Sequence, residues 1–272
     1  MKTKTIRAYA LAVAAALALP LAVAQAQDTK VDLSKETVGK APAAFEPMMG
    51  MWIVAQDGPD KVIKVDGAAY KSALSTPARL ALENARKMYG TSNEELMDNA
   101  KQFTAYPIAV LRTVDNFTNG TIAVKFKTIA GDADRASGIL FNVKPNGDWL
   151  TVRYNDTEHN LVMWEFHNGV RRPLNHHGDG QLLSAAGDRE KWHDLKIEVA
   201  GSLITAWLEG TKQWDYTLDA PPGPQRRGAP PNPDLIAANN PVLQPPVKGR
   251  IGLWSKSDSS VEFKDYVVTS VK

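Results

Sequence analysis

The chain has 272 residues, a formal net charge of +2 and no cysteine. The absence of cysteine excludes a disulfide framework, thiolate metal sites, a lipid-modified cysteine and a cysteine nucleophile. Three basic residues (Lys2, Lys4 and Arg7) lie at the extreme N-terminus, and without them the formal charge falls to about −1. A near-neutral chain gives no electrostatic reason to expect nucleic acid as a partner.

The first 26 residues have the pattern of a secretory signal peptide. Basic residues precede an apolar stretch from Ala8 to Val23, and Ala24-Gln25-Ala26 is a small-x-small cleavage motif. We therefore predict cleavage near Ala26 and a periplasmic or secreted protein of about 245 residues, long enough for one large β-domain. The alternative is an uncleaved anchor, which Pro20 disfavours. Nothing later in the sequence is long and apolar enough to span a bilayer.

Residues 27–47 are polar with scattered alanine and proline, which predicts an extended arm ahead of a single domain at 48–272. Near 75–103 the pattern is helical. Pro77 stands at a favourable first helical position, and Ser92-Asn93-Glu94-Glu95 is a capping box that opens a second helix. We predict a helical hairpin inserted into a loop of a β-domain, acting either as a lid or as structural filler.

Elsewhere apolar and polar residues mostly alternate, as in half-buried strands, and clusters of Gly, Pro, Asn and Asp separate the segments. Such a series of short strands predicts an all-β sandwich or barrel. Residues 220–246 hold nine prolines and predict a long irregular loop, because proline cannot donate to a β-ladder. The predicted strands are Met51–Val54, Lys61–Val65, Ile108–Thr113, Thr121–Ile129, Ser137–Val143, Trp149–Asn155, Leu161–His167, Asp194–Val199, Leu203–Leu208, Arg250–Lys256 and Val261–Val268.

Residues suited to sugar binding concentrate on the strand Trp149–Asn155 and in the turn after it. Alternation places Arg153 and Asn155 on one face of this strand together with Trp149. A pyranose requires planar donors and acceptors for its hydroxyl groups beside an aromatic face. The turn adds Glu158, His159 and Asn160.

A structural role for these residues is the alternative. The asparagines are ordinary turn formers, and Arg153 can pair with Glu158 or Glu165 across the sheet.

Two tryptophans outside this stretch are candidates for stacking on a sugar. Trp207 has Thr205 and Glu209 on its own face of a strand, and Trp254 lies between Gly252 and Lys256. We expect most of the seven tryptophans to be core residues. Lys256 joins the candidate substrate-binding residues because it shares the face of Trp254.

The chain ends in a strand, a polar turn and a second strand, Lys248–Asp258 and Val261–Val268, which we interpret as a closing hairpin. This segment resembles the last strands of concanavalin A-like (laminin-G-like) jelly rolls. Among them it is most similar to the secreted bacterial family grouped with 3-keto-disaccharide hydrolase and family 16 glycosidase domains. A family pattern, Arg-x-Asn-x-x-Glu-x-Asn and then Asn-Gly-x-Arg, is carried here by Arg153, Asn155, Glu158, Asn160, Asn168, Gly169 and Arg171.

The resemblance implies a jelly-roll β-sandwich, with the helical hairpin and the Pro-rich loop as departures, and a carbohydrate or glycoconjugate as partner. The Glu-x-Asp-x-(x)-Glu strand of family 16 glycosidases is missing, so hydrolysis by two carboxylates is not expected. A 3-keto sugar makes a different demand, because its ketone acidifies the neighbouring C–H. Glu158 or His159 would then be the base, and Arg153 an electrophilic clamp.

We therefore predict a carbohydrate-binding protein. The alternatives are an enzyme of the 3-keto-disaccharide hydrolase type and a protein-interaction module using the Pro-rich loop.

No metal or other cofactor is predicted. His176-His177 resembles a metal motif, but adjacent histidines on an extended chain point to opposite sides, and an exposed loop is the expectation. A closed site would need His159, His167 or His193 as well. A structural Ca²⁺ is common in jelly rolls, yet no spacing of carboxylates marks one.

Overall fold

The computed structural model describes residues 26–67, 106–167, 170–174, 190–218 and 246–271. The signal sequence up to residue 25, the helical hairpin, His176 and His177, and the Pro-rich loop up to residue 245 lie outside these ranges. The described residues form fifteen strands: β1 Ala26–Lys30, β2 Phe45–Met49, β3 Trp52–Asp57, β4 Asp60–Asp66, β5 Ile108–Leu111, β6 Gly120–Ala130, β7 Ala136–Val143, β8 Trp149–Asn155, β9 Asn160–His167, β10 Val170–Pro173, β11 His193–Ala200, β12 Leu203–Leu208, β13 Thr211–Thr217, β14 Arg250–Ser255 and β15 Ser260–Val271.

The strands form two antiparallel sheets that pack face to face. Sheet A has the order β13-β12-β11-β6-β15-β4-β3, and β1 pairs with β15 as well. Sheet B has the order β10-β9-β8-β7-β14-β5-β2. Across the interface, the rings of Phe126 on β6 and Tyr154 on β8 have centroids 5.5 Å apart. The predicted all-β sandwich is confirmed.

Alternating apolar residues build the core between the sheets. On β11, Leu195, Ile197 and Val199 are buried while the intervening residues are exposed. Val152 and Met163 of sheet B join them in one apolar cluster. Full burial of an aliphatic or Phe side chain contributes about 1.5–3 kcal/mol, so this layer supplies the main driving force for folding.

The predicted closing hairpin is wrong. β14 pairs with β5 and β7 in sheet B, whereas β15 pairs with β6 and β4 in sheet A. The polar turn between them therefore carries the chain from one sheet to the other. Alternation identifies a strand with one buried face, but such a strand satisfies the same pattern in either sheet.

Four strands were not predicted: β1, β2, β10 and β13. In the segment expected to be an arm, Ala26–Lys30 pairs with Val267–Val271 of β15. The residues of β1 are mostly polar and show no alternation, so backbone pairing with β15 creates this strand. Within the described ranges, no helix has the length and hydropathy that crossing a bilayer requires.

Candidate functional site

The candidate site lies on the outer face of sheet B, the face turned away from sheet A. As the alternation predicted, Leu150 and Val152 of β8 point into the core between the sheets, and Trp149 belongs to a separate apolar cluster on the other face. Arg153 shares the face of Trp149. In the sheet register Arg153 is opposite Gly138 of β7, and Gly138 is opposite Trp254 of β14. These residues therefore form one row across the outer face.

Arg153 is held by the turn that connects β8 to β9. Its Nη2 donates to Glu158 Oε2 at 2.6 Å, and its Nη1 donates to Asn160 Oδ1 at 2.5 Å. Asn160 Nδ2 donates to the same Glu158 oxygen at 3.1 Å. Of the two carboxylates considered as partners of Arg153, Glu158 is the one that pairs with it, and Glu165 pairs with Arg172.

The electrostatics favour a charged Glu158. Its side chain is 44 % exposed, whereas that of Arg153 is 1 % exposed. Burial raises the pKa of Glu158, but the charge of Arg153 and hydrogen bonds from Arg153 and Asn160 outweigh it and lower the pKa below its ordinary value. A lowered pKa weakens a general base. Glu158 is therefore better placed to hold Arg153 than to abstract a proton. His159 is exposed in the same turn, with a φ of 51°.

Two guanidinium groups lie over the indole of Trp164. The Cζ atom of Arg171 is 3.9 Å from the ring centre, and that of Arg153 is 5.4 Å from it. Arg171 reaches this position because β10 pairs with β9 and places it opposite Phe166, two residues beyond Trp164 on the same face. Arg171 also lies 5.0 Å from the ring of Tyr106. Cation–π attraction offsets part of the cost of withdrawing these charges from water.

Buried N–H donors without a partner cluster on this face. Buried polar groups are nearly always hydrogen-bonded, and each one left unpaired costs about 1–3 kcal/mol. Of the residues that carry these donors, Trp164 and Arg171 are partly exposed and can meet a ligand rich in acceptor oxygens, whereas Trp149 and Trp254 are fully buried. Within the described part of the chain, the unpaired donors on the outer face are Arg153 Nε, Arg171 Nη1 and the Nε1 atoms of Trp149, Trp164 and Trp254.

Asn155 and Lys256 meet at a third residue, Asp134. Asn155 Nδ2 and Lys256 Nζ both donate to Asp134 Oδ1, at 3.0 and 2.9 Å. The backbone N–H groups of residues 132–134 donate in turn to the carboxylate of Asp258. Burial opposes ionisation of Asp258, but these N–H groups hold its pKa at about 2. Asn155 and Lys256 are therefore engaged in an internal network at the end of β8.

The two candidate stacking tryptophans lie on different sheets. Trp254 is fully buried, and its ring stacks on Tyr106 at a centroid distance of 5.8 Å, so the expectation of an open indole there is wrong. Alternation on β14 gives the face of Trp254 but not what covers that face. Trp207 belongs to β12 in sheet A and lines an open depression of about 490 Å³. Lys196 Nζ lies 4.0 Å from the centre of its ring.

Sequence reasoning missed Trp164, Tyr106 and Asp134 and included Arg171 only through the family pattern. For Trp164 a signal was available, because it lies four residues after Asn160 on a strand and so shares its face. No comparable signal marks Tyr106, whose contacts with Trp254 and Trp149 join distant parts of the chain.

The described histidines pair with single carboxylates in two places. His167 Nδ1 lies 2.8 Å from Asp148 Oδ2, and His193 Nδ1 lies 2.7 Å from Glu209 Oε1. Among the residues that the structure describes, no three His, Asp or Glu side chains are grouped to hold a metal ion.

The fold defines an antiparallel β-sandwich protein, and its candidate site is a group of arginine and tryptophan side chains on the outer face of one sheet. Residues 83–269 match the 3-keto-α-glucoside-1,2-lyase-like domain, and the chain belongs to that family. The resemblance seen in the last strands and in the turn after Arg153 is thereby confirmed. A search of curated proteins found no match.

Several solved structures are similar to the chain. The carbohydrate-binding module CBM66 from Bacillus subtilis has 12 % identity and a TM-score of 0.48, covering 83 % of this chain and 95 % of its own. The β-glucanase of Bacillus licheniformis has 13 % identity and a TM-score of 0.37, covering 61 % of this chain and 71 % of its own. Sheep galectin-11 has 13 % identity and a TM-score of 0.31, covering 58 % and 92 %.

Proposed function

We propose that the protein binds a carbohydrate or glycoconjugate on the outer face of sheet B, at the end that carries Arg153, Asn160, Trp164 and Arg171. The observation that carries this proposal is the set of buried, unpaired N–H donors among aromatic rings. A sugar offers acceptor oxygens to such donors and apolar C–H surfaces to the rings. Membership of a family named for a 3-keto-α-glucoside supports the same ligand class.

Titration of the purified protein with a panel of glycosides and 3-keto-glycosides tests this proposal, with tryptophan fluorescence and calorimetry as readouts. We expect saturable binding that Arg153→Met abolishes and that Trp207→Phe, on sheet A, leaves unchanged. The proposal assigns no metal to binding, so EDTA should have no effect. Absence of saturable binding across the panel, or equal loss in both variants, would contradict it.

We infer as a second candidate that the family's lyase chemistry takes place at this site. In a 3-keto-glucoside a base can remove the proton at C2, which the C3 ketone acidifies. The C–H electron pair then forms the C1–C2 double bond, and the C1–O bond breaks as the leaving group takes up a proton. The unpaired Nε of Arg153 is a donor suited to the ketone oxygen, and Glu158 and His159 are the nearby bases.

Product formation distinguishes the two candidates. An enzyme should release the aglycone from a 3-keto-glucoside, and Glu158→Gln or His159→Gln should remove the rate. His159 is exposed, so His159→Gln should leave the thermal unfolding temperature unchanged. Glu158→Gln also removes the carboxylate that pairs with the buried Arg153, so the unfolding temperature should fall, and the rate is measured at a temperature at which this variant is folded. Loss of turnover in Glu158→Gln would indicate that the carboxylate of Glu158 abstracts the proton despite its lowered pKa. Binding of the 3-keto-glucoside by the wild-type protein without turnover would support the binding function and contradict the lyase candidate.

We also propose that the sandwich is a concanavalin A-like jelly roll with a helical hairpin near 75–103 and that the protein is exported to the periplasm or beyond. The crossing of β14 and β15 between sheets supports the jelly-roll connection. The cleavage motif ends at Ala26, the first residue of β1, so cleavage there leaves Gln27–Lys30 to pair with β15. N-terminal sequencing of the exported protein should begin near Gln27, and a retained leader would contradict this.

A further inference from the structure

We propose that the sugar recognised on the outer face carries a carboxylate, as in a uronic acid, and that Arg171 receives this group. The inference rests on the proposed carbohydrate-binding function and names its ligand class. It follows from the contacts of Arg171, which among the described residues include no carboxylate, and from the geometry of the two arginines.

Most cations near the outer face have a carboxylate partner within the described residues. Arg153 pairs with Glu158, and Lys256 pairs with Asp134. Arg171 instead contacts the rings of Trp164 and Tyr106, and its buried Nη1 lacks an acceptor among those residues. Arg171 is partly exposed, but its Nη1 is withdrawn from water without an acceptor, and aromatic faces offset only part of the cost of such a group. Among the described residues around Trp164, Arg171 therefore carries a positive charge without a carboxylate partner.

The geometry favours a planar anion. A guanidinium presents parallel N–H donors that match the two oxygens of a carboxylate, and such charge-assisted pairs are about twice as strong as neutral hydrogen bonds. The guanidinium of Arg171 is stacked on Trp164, the same indole that Arg153 approaches. Arg153 is 1 % exposed and keeps an unpaired Nε, which can serve a neighbouring ring oxygen or hydroxyl of the same sugar.

The test compares two ligands that differ only at C6, methyl α-D-glucopyranoside and methyl α-D-glucopyranosiduronate. Their dissociation constants are measured by calorimetry with the purified wild-type protein and three variants. Arg171→Met removes both the charge and the N–H donors, whereas Arg171→Lys keeps the charge but loses the parallel pair of N–H donors. Lys196→Met, the control, removes a cation that lies over an indole on sheet A. Thermal unfolding verifies that each variant is folded.

We expect the uronate to bind about tenfold more tightly than the neutral glucoside, or better. Arg171→Met should remove most of this preference, Arg171→Lys should keep part of it, and Lys196→Met should keep all of it. Binding of the glucoside without a preference for the uronate would overturn this inference and leave the proposed function standing. A preference that survives in Arg171→Met would overturn it too. Failure of both sugars to bind would overturn the inference, and the panel of glycosides and 3-keto-glycosides would then decide the carbohydrate-binding function separately.

Discussion

Arg153 and Arg171 approach the same indole ring, that of Trp164, although like charges repel. Arg153 has a carboxylate, Glu158, to balance its charge, whereas the described contacts of Arg171 are with aromatic rings. Burial lowers the pKa of Arg153, and the nearby charge of Arg171 lowers it further against the opposing effect of Glu158. Two guanidinium groups and one described carboxylate therefore surround Trp164, and the proposed binding of an oxygen-rich ligand depends on this arrangement.

Removing one partner of the Arg153–Glu158 pair should cost more than removing both. Glu158→Ala leaves a buried guanidinium without its carboxylate, and we expect a loss of about 1–3 kcal/mol in the free energy of unfolding. In the double variant Arg153→Met/Glu158→Ala the buried charge is gone, so most of this loss should be recovered. Urea denaturation of the single and double variants measures the coupling.

The exposed pair of Lys212 and Asp215 provides the control for this comparison of single and double variants. Their side chains are 53 % and 41 % exposed, so Lys212→Ala should change the free energy of unfolding by less than about 1 kcal/mol. If the free energy of unfolding of the double variant changes by the sum of the changes in Arg153→Met and Glu158→Ala, the two residues are not coupled.

The indole N–H of Trp164 should contribute directly to sugar binding. Trp164→Phe keeps an aromatic ring but removes the unpaired Nε1 donor, and we expect sugar affinity to fall by up to about tenfold, the contribution of one hydrogen bond. Trp207→Phe makes the same chemical change on sheet A and should have no effect on affinity. The reverse ranking of the two variants, measured by calorimetry, would move the binding site to the depression around Trp207.

Acid should weaken the fold through Asp258. Its pKa in the folded protein is held at about 2, below the ordinary value of 3.8. A carboxyl whose pKa is lowered by folding stabilises the protein above the unfolded pKa, and this contribution is lost as the pH falls towards the folded value. Asp258→Asn should therefore lower the unfolding temperature clearly at pH 6 and much less at pH 2.

Asp132→Asn is the matched control, because Asp132 is an exposed carboxylate in the loop whose backbone binds Asp258. It should not change the unfolding temperature at pH 6 or at pH 2. A difference between wild type and Asp258→Asn that is the same at pH 6 and pH 2 would refute the assignment of the acid effect to this carboxylate.

Glycine at position 138 provides the space beside Arg153. A Cβ atom there would lie 2.7 Å from the carbonyl oxygen of Val152 and 3.0 Å from Cβ of Arg153. Gly138→Ala should lower the free energy of unfolding by about 1–3 kcal/mol through overpacking and should weaken sugar binding by displacing the guanidinium. Urea denaturation and calorimetry test both effects, and unchanged stability with unchanged affinity would contradict this account.

The part of the site that the sequence predicted is local in the chain. Arg153, Glu158 and Asn160 belong to one strand, one turn and the start of the next strand, so alternation and turn chemistry are enough to bring them together. Tyr106 was missed because its place beside Trp254 depends on contacts between segments far apart in sequence. Trp207 and Trp254 show the same limit of sequence-based prediction. Both lie on strands with alternating residues, yet Trp207 belongs to sheet A and Trp254 to sheet B.

The sequence by itself determined the class of fold, most of the strands, the core-facing side of strands such as β8 and β11, and the restriction of the partner of Arg153 to Glu158 or Glu165. These features follow from side-chain alternation and from hydrogen bonds over a few residues. Only the tertiary structure decided that β14 and β15 belong to different sheets, that β1 pairs with β15, and that Trp254 is covered while Arg171 stacks on Trp164. Sheet membership and coverage depend on which distant segments pack together, and a pattern of period two is the same for every strand with one buried face.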